Sequence, residues 1–216
     1  MRRRKERNMI TFEEIRHNEN ISTYIRKADE SLIALGYTEH SFAHVTKVAQ
    51  VAKDILLTLG YSEREAELAQ IAGYLHDIGN VVNRIDHAQS GAVMAFRILD
   101  NMGADPEDIA TIITAIGNHD ESTAYPVNPV AASLILADKT DVRYTRVRNR
   151  DFASFDIHDR VNYSVKHPLP KLPFVQPKTP GQYQISLWSL ITSQNCSPSF
   201  SAAFRQRIIR FKKISK

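Results

Sequence analysis

The amino-acid sequence predicts an all-α helical bundle. Three observations carry that expectation. Apolar residues recur at helical spacing over six successive segments before residue 160. Short polar turns holding serine, aspartate, asparagine, proline or glycine separate those segments. No run before residue 160 alternates clearly as a strand would. With 216 residues, 43% of them hydrophobic, the chain can bury one sizeable core, so a single main domain is expected.

The elements follow in order. Thr11, with Glu13 and Glu14 behind it, opens a helix whose Ile15, Ile21, Tyr24, Ile25, Ala28, Leu32 and Leu35 keep an apolar stripe up to Gly36. Ser41 to Leu59 repeats the pattern until Gly60, with His44 in its first turn. Ser62 and Glu65 form a capping box for a third helix running through Leu68, Ile71, Ala72 and Leu75 to Ile78. It delivers His76 and Asp77 near its C-terminal end, where Gly79 and Asn80 break it. Asp86 is placed to cap a fourth, which carries His87 in its first turn and reaches Gly103. Asp105-Pro106-Glu107-Asp108 supplies a cap, a proline at the first helical position and two acids at the positive end of the dipole. The fifth helix then ends in Gly117-Asn118-His119-Asp120. Asn128-Pro129 starts a sixth, apolar from Val130 to Ala137 and followed by Asp138-Lys139-Thr140-Asp141.

The two ends differ from this body. Residues 1–10 read as a disordered basic lead-in, with Met9 as an alternative start, and the bundle is expected over residues 11–166. In residues 167–216 a proline-rich stretch gives way to an alternating run from Gln182 to Trp188 and then to a basic end, with no acid after Asp159. That segment fits a small β addition, a loose arm, or a stretch translated out of an ancestral reading frame.

Charge is divided the same way. Residues 8–160 carry 14 Lys/Arg against 23 Asp/Glu, so the body is acidic and the basic pI belongs to the ends. An acidic, histidine-rich body suits cation binding and argues against a nucleic-acid partner, for which a basic face is expected. Cys196 is the single cysteine, which excludes an internal disulfide framework and leaves nitrogen and oxygen as metal donors. No run approaches the ~18 apolar residues of a membrane span, and no secretory segment follows Met1 to Lys5. A cytoplasmic protein without a membrane partner is expected, with an apolar helix face available for homodimerisation.

His44, His76, Asp77, His87, His119 and Asp138 each fall near a helix terminus or its adjoining turn, where side chains from separate helices can converge. Singly, each histidine reads as a hydrogen-bonded core or surface residue, and Asp86, Asp105 and Asp120 as caps. Jointly, HSFAHV, YLHDIGN, DHAQSGA, IGNHD and LADKTD resemble, in order, the motifs of the HD superfamily of metal-dependent phosphohydrolases over about residues 36–145. The resemblance implies an HD-domain helical bundle with two divalent metal ions. His44, His76, Asp77 and Asp138 would hold the first, and Asp77 would bridge to a second held by His87 and His119. Such a ligand set suits Fe or Mn, and also Zn, Co or Ni.

The implied activity is hydrolysis of a phosphoester or phosphoanhydride in a phosphorylated small molecule, a nucleotide by expectation, with a metal-bridging hydroxide as nucleophile. Asp77 and Lys139 are the candidate catalytic residues; Lys139, Arg143 and Arg84 are the candidate phosphate contacts, and Asp141 would orient Lys139 or Arg143. His40 is expected behind the ligands or at the surface, His17 exposed, and His158 and His167 outside the site. Two features separate this chain from parts of the superfamily. Asn80 stands where many relatives carry lysine, and Ala124-Tyr125-Pro126 only approximates the Gly-Tyr-Pro signature of the cyclic-dinucleotide branch. Ala137-Asp138-Lys139 with Arg143 looks like the compact two-metal members that hydrolyse nucleotides, including dinucleoside polyphosphates. Two other readings stay open: a di-iron oxygenase of the same superfamily, and a non-catalytic, metal-stabilised nucleotide-binding module.

Overall fold

Side-chain caps set most helix boundaries in the computed structural model, which describes residues 8–120, 122–155, 157–163, 174–179, 182–186 and 208–212. Reciprocal capping boxes open α1 (Phe12–Arg16) at Thr11 and Glu14, and α4 (Glu63–Leu75) at Ser62 and Glu65. Ser41 caps α3 (Phe42–Thr58), Asp105 caps α6 (Pro106–Gly117) and Asn128 caps α7 (Pro129–Thr140), with proline at the first position of the last two. Gly103 closes α5 (His87–Met102) at φ 81°, a left-handed conformation that suits glycine.

Several boundaries depart from expectation. The single helix expected from Thr11 to Gly36 is two, α1 and α2 (Glu19–Ala34), because the Asn18 side chain accepts from the backbone N–H groups of Asn20 and Ile21 and starts a new helix. Asp86 does not cap α5 through its side chain; it lies at φ 57° and turns the chain instead. With α8 (Ile157–Tyr163), eight helices stand among the described residues where six were expected. Residues 8–10, expected in a disordered lead-in, pack on the body: Asn8 N–H donates to the Gly103 carbonyl, Ile10 is buried, and its carbonyl accepts from Arg64. Residues 1–7 lie outside the described residues.

The body is all-α, and its core is one apolar cluster gathered from α1 to α7. The antiparallel pair α3 and α4 lies at its centre because Gly73 removes the side chain between them. A Cβ there would sit 2.8 Å from Ala49 Cα and 2.9 Å from its backbone N. That approach brings the helix bearing His44 against the helix that leads to His76. No helix among the described residues is long and apolar enough to cross a membrane.

Beyond the bundle, β1 (Phe174–Thr179), β2 (Gln182–Ser186) and β3 (Ile208–Lys212) form an antiparallel sheet in the order β1-β2-β3. The alternating run read from the sequence coincides with β2, whereas Leu187 and Trp188 lie outside the described residues. Pro177 falls on an edge strand, beside a register shift, where its missing N–H interrupts no interior ladder.

Filling the α3–α4 contact should cost stability. Gly73→Ala is expected to lose about 1–3 kcal/mol through forced backbone displacement. Gly117→Ala, whose Cβ would meet only the Ala92 methyl at 3.7 Å, should gain up to about 1 kcal/mol from helix propensity. Thermal unfolding followed by circular dichroism separates the two; equal midpoints would contradict the close approach.

Candidate metal centre

Five helix termini meet at Asp77. His76 ends α4 and Asp77 follows at the head of a single 3-10 turn, Ile78–Val81, so the histidine and the carboxylate leave one helix end together. Gly79 lets α5 come in beside them, since a Cβ there would lie 2.0 Å from the His87 carbonyl and 2.5 Å from Gly91 N. His44 enters from the first turn of α3, His119 from just beyond α6, and Asp138 from the last turn of α7.

Asp77 Oδ2 lies 3.0 Å from His76 Nε2 and 3.5 Å from His44 Nε2, and Asp77 Oδ1 lies 3.6 Å from His87 Nε2. The His119 ring centre is 4.9 Å from that of His76 and 5.1 Å from that of His87. Two groups result, His44–His76–Asp77 and Asp77–His87–His119, and within each the donor atoms lie inside 4.8 Å of one another. Asp138 Oδ1 closes on the first group, 3.5 Å from His44 Nε2 and 3.9 Å from His76 Nε2. All six residues implied by the sequence motifs are thus brought together.

The imidazoles share one orientation. His76 Nδ1–H donates to the Gly73 carbonyl at 2.8 Å, His87 to Arg84 at 3.0 Å and His119 to Ile116 at 2.7 Å, each three residues back. His44 Nδ1–H donates instead to the Asp141 carboxylate at 2.8 Å. With every Nδ1 engaged, each Nε2 carries the lone pair a cation would use. The buried His44 Nε2, His76 Nε2 and Asp77 Oδ2 have no hydrogen-bond partner among the described residues. Acceptors facing acceptors without a donor are costly in a buried site unless a cation completes them, and imidazole nitrogen with carboxylate oxygen fits a divalent transition metal.

A family model described as the HD domain matches residues 41–143, a span that holds all six residues. Residues 41–143 form an HD domain. An uncharacterized protein of Methanocaldococcus jannaschii is 27% identical over 43% of this chain and 42% of its own length, so the match spans less than half of that relative. A crystal structure of a predicted HD superfamily hydrolase from an uncultured Thermotogales bacterium is 26% identical, covering 58% of this chain and 68% of that chain at a TM-score of 0.45.

Around the six residues of the HD domain lies a layer that sequence reading resolves less well. Asn80 donates through Nδ2 to Asp77 Oδ1 at 2.9 Å and to the Asp77 carbonyl at 3.0 Å. Its three-residue spacing from Asp77 was the available signal. Arg84 NH1 lies 3.4 Å from Asn80 Oδ1 and 3.3 Å from His87 Nε2, beside the second group. Lys139 Nζ lies 2.7 Å from Asp138 Oδ2. Arg143 reaches Asp141 Oδ1 at 2.9 Å and Glu39 Oε2 at 3.0 Å, behind His44 and not against the six residues. His40 packs edge-on against His44 with ring centres 5.3 Å apart, its Nδ1–H donating to the Thr38 carbonyl at 2.7 Å. His17 is exposed, His158 lies on α8, and His167 is outside the described residues.

Burial and charge oppose each other here. Burial alone would raise Asp77, but His76, His40 and His87 outweigh it and hold the carboxyl well below its usual range. Burial would likewise raise Asp138, which Lys139, His44 and His76 keep well below that range. His76 is lifted above its ordinary 6.5 because Asp77 and Asp138 overcome its desolvation. His119 is pushed down to about 3 by burial, with His76 acting in the same direction, and burial also lowers His87.

These shifts predict acid sensitivity of the metal-free protein. His119 is neutral in the fold, while in the unfolded chain it binds a proton near 6.5. Its contribution is therefore present above pH 6.5 and lost as pH falls toward 3. His87 adds in the same sense, whereas His76, raised, contributes below 6.5 and loses that contribution on going upward. Chelator-treated protein should lose stability as pH falls from 6.5 toward about 3, His119 contributing up to about 1.4 kcal/mol per pH unit. Urea unfolding across that window should show a shallower slope for His119→Asn; an unchanged slope would contradict a buried, neutral His119.

Proposed function

We propose that this HD-domain protein is a metal-dependent hydrolase of a phosphoester or phosphoanhydride, acting on a nucleotide. The observation that carries the reading is the pair of donor groups sharing Asp77. The first ion would be held by His44, His76, Asp77 and Asp138, the second by Asp77, His87 and His119. When bound, divalent ions supply Lewis acidity, stabilising charge on phosphate oxygens and acidifying water toward neutrality. The protein's own residues do the rest. Asp77 presents one oxygen to each group, and Asn80 fixes the rotation of that carboxylate through its bond to Oδ1. Lys139, at the edge of Asp138, and Arg84, beside His87, bring positive charge to opposite sides of the centre, where a phosphate would need it. The His44 and His76 imidazoles already direct unpartnered Nε2 atoms inward, which preorganises the first group, whereas loading the second would displace Arg84 from His87 Nε2.

Elemental analysis of protein purified without chelator, run beside phosphate and nucleotide release from a substrate panel with Mn, Fe, Co, Zn or Mg restored, tests the proposal. Near two transition-metal ions per chain with metal-dependent cleavage is the expected result. Two irons without hydrolysis would move the reading to oxygen chemistry; nucleotide binding without turnover would make the protein a binding module. Asp77→Ala should lose most of the metal and nearly all activity while the helical circular-dichroism signal persists. His87→Ala or His119→Ala should lower occupancy toward one ion, and loss of neither ion would remove both histidines from the centre.

A further inference from the structure

Asp141 stands apart from every other polar group around the centre. It is fully buried, yet its carboxylate meets His44 Nδ1 at 2.8 Å, Lys47 Nζ at 2.8 Å and Arg143 Nε at 2.9 Å, while Arg146 NH1 donates to its backbone carbonyl at 2.7 Å. The other three imidazoles are oriented by neutral carbonyls of their own chain segment. His44 has no such partner: it lies in the first turn of α3, and the carbonyl three residues back, on Ser41, accepts the Val45 N–H at 3.1 Å. A charged acceptor, 97 residues away in sequence, replaces it.

We propose that Asp141 is the positioning residue of His44, fixing the proton on Nδ1 and keeping Nε2 as an unprotonated donor directed at Asp77 and Asp138. The inference rests on His44 being a metal ligand, as proposed above, but the tautomer it assigns is a property of the metal-free protein as well. The carboxylate is held in turn by Lys47 from α3 and Arg143 from the turn after α7, so its oxygens cannot rotate away from the imidazole without breaking charge-assisted bonds. An anionic acceptor also makes the imidazole a stronger donor than a carbonyl does.

The substitution that isolates this role is Asp141→Asn. Lys47 and Arg143 offer only donors, so they should draw the amide oxygen to their side and leave the amide NH2 facing His44. His44 would then accept at Nδ1 and carry its proton on Nε2, as an Asp→Asn exchange behind a catalytic histidine does in unrelated enzymes. Long-range proton–nitrogen correlation spectra of the imidazoles, with the His44 signals assigned by their absence in His44→Gln, read the tautomer directly. The expected result is an Nδ1–H form in metal-free wild type and an Nε2–H form in Asp141→Asn, together with a 10–100-fold loss of Mn affinity by titration. An Nε2–H form in the wild type would overturn the inference, and that measurement stands even where the variant fails to fold. Equal Mn affinity and an unchanged tautomer in a folded Asp141→Asn would overturn it too. A wild type that binds no Mn, Fe, Co or Zn, yet shows Nδ1–H at His44 and a switch in the variant, would sink the metal reading and leave Asp141 in its role.

Discussion

One buried carboxylate has to serve two sets of imidazoles, and the bundle is arranged around that requirement. Asp77 is almost wholly removed from water, where an ionised carboxylate is costly unless it is paired. Four histidines on four different elements and one hydrogen bond from Asn80 surround it. None of these groups is a strong partner alone. His76, His40 and His87 outweigh burial and hold Asp77 below its usual range, and its two oxygens face the two donor groups. Helix ends supply them because a terminus ends its own hydrogen-bond ladder, so that carbonyls such as those of Gly73 and Ile116 can accept from an imidazole Nδ1–H three residues on.

Packing and chemistry are joined at two glycines. Gly73 sets how near α3 comes to α4, hence how near His44 comes to His76, and Gly79 sets how near α5 comes to the turn that holds Asp77. The distances in the centre are therefore inherited from backbone contacts several residues away. The polar layer behind His44 works differently: Asp141, Lys47, Arg143 and Arg146 form an ionic knot that ties the turn after α7 to α3, and Arg146 also grips the Glu39 carbonyl through Nε at 2.9 Å.

What the sequence made legible was periodic or ordered along the chain. Apolar stripes marked the bundle, capping boxes at Thr11 and Ser62 marked helix starts, and the ordered histidines and aspartates marked the centre. What stayed hidden depended on contacts between distant segments or on a local competition. Asp141 reads in sequence as a neighbour of Lys139 and Arg143, and only folding discloses His44 as its partner. Asn18 interrupts a continuous apolar stripe because its side chain competes for backbone N–H groups, an effect periodicity does not register. Asp86 looked like a cap by residue type, but its left-handed φ takes the carboxylate out of capping position. Ile10 followed a charged run and so was grouped with it, although it is buried against the body.

The two donor groups differ in how they are mounted. His44, His76 and Asp138 come from α3, α4 and α7, which share the central packing, whereas His87 and His119 stand at the two ends of one hairpin, α5–α6. The two mountings are nonetheless parts of one core: α5 and α6 bury Ala95, Leu99, Ile112 and Ile116 in the same apolar cluster as α3, α4 and α7, so a loss of packing in the hairpin would be felt at His87 and His119 together.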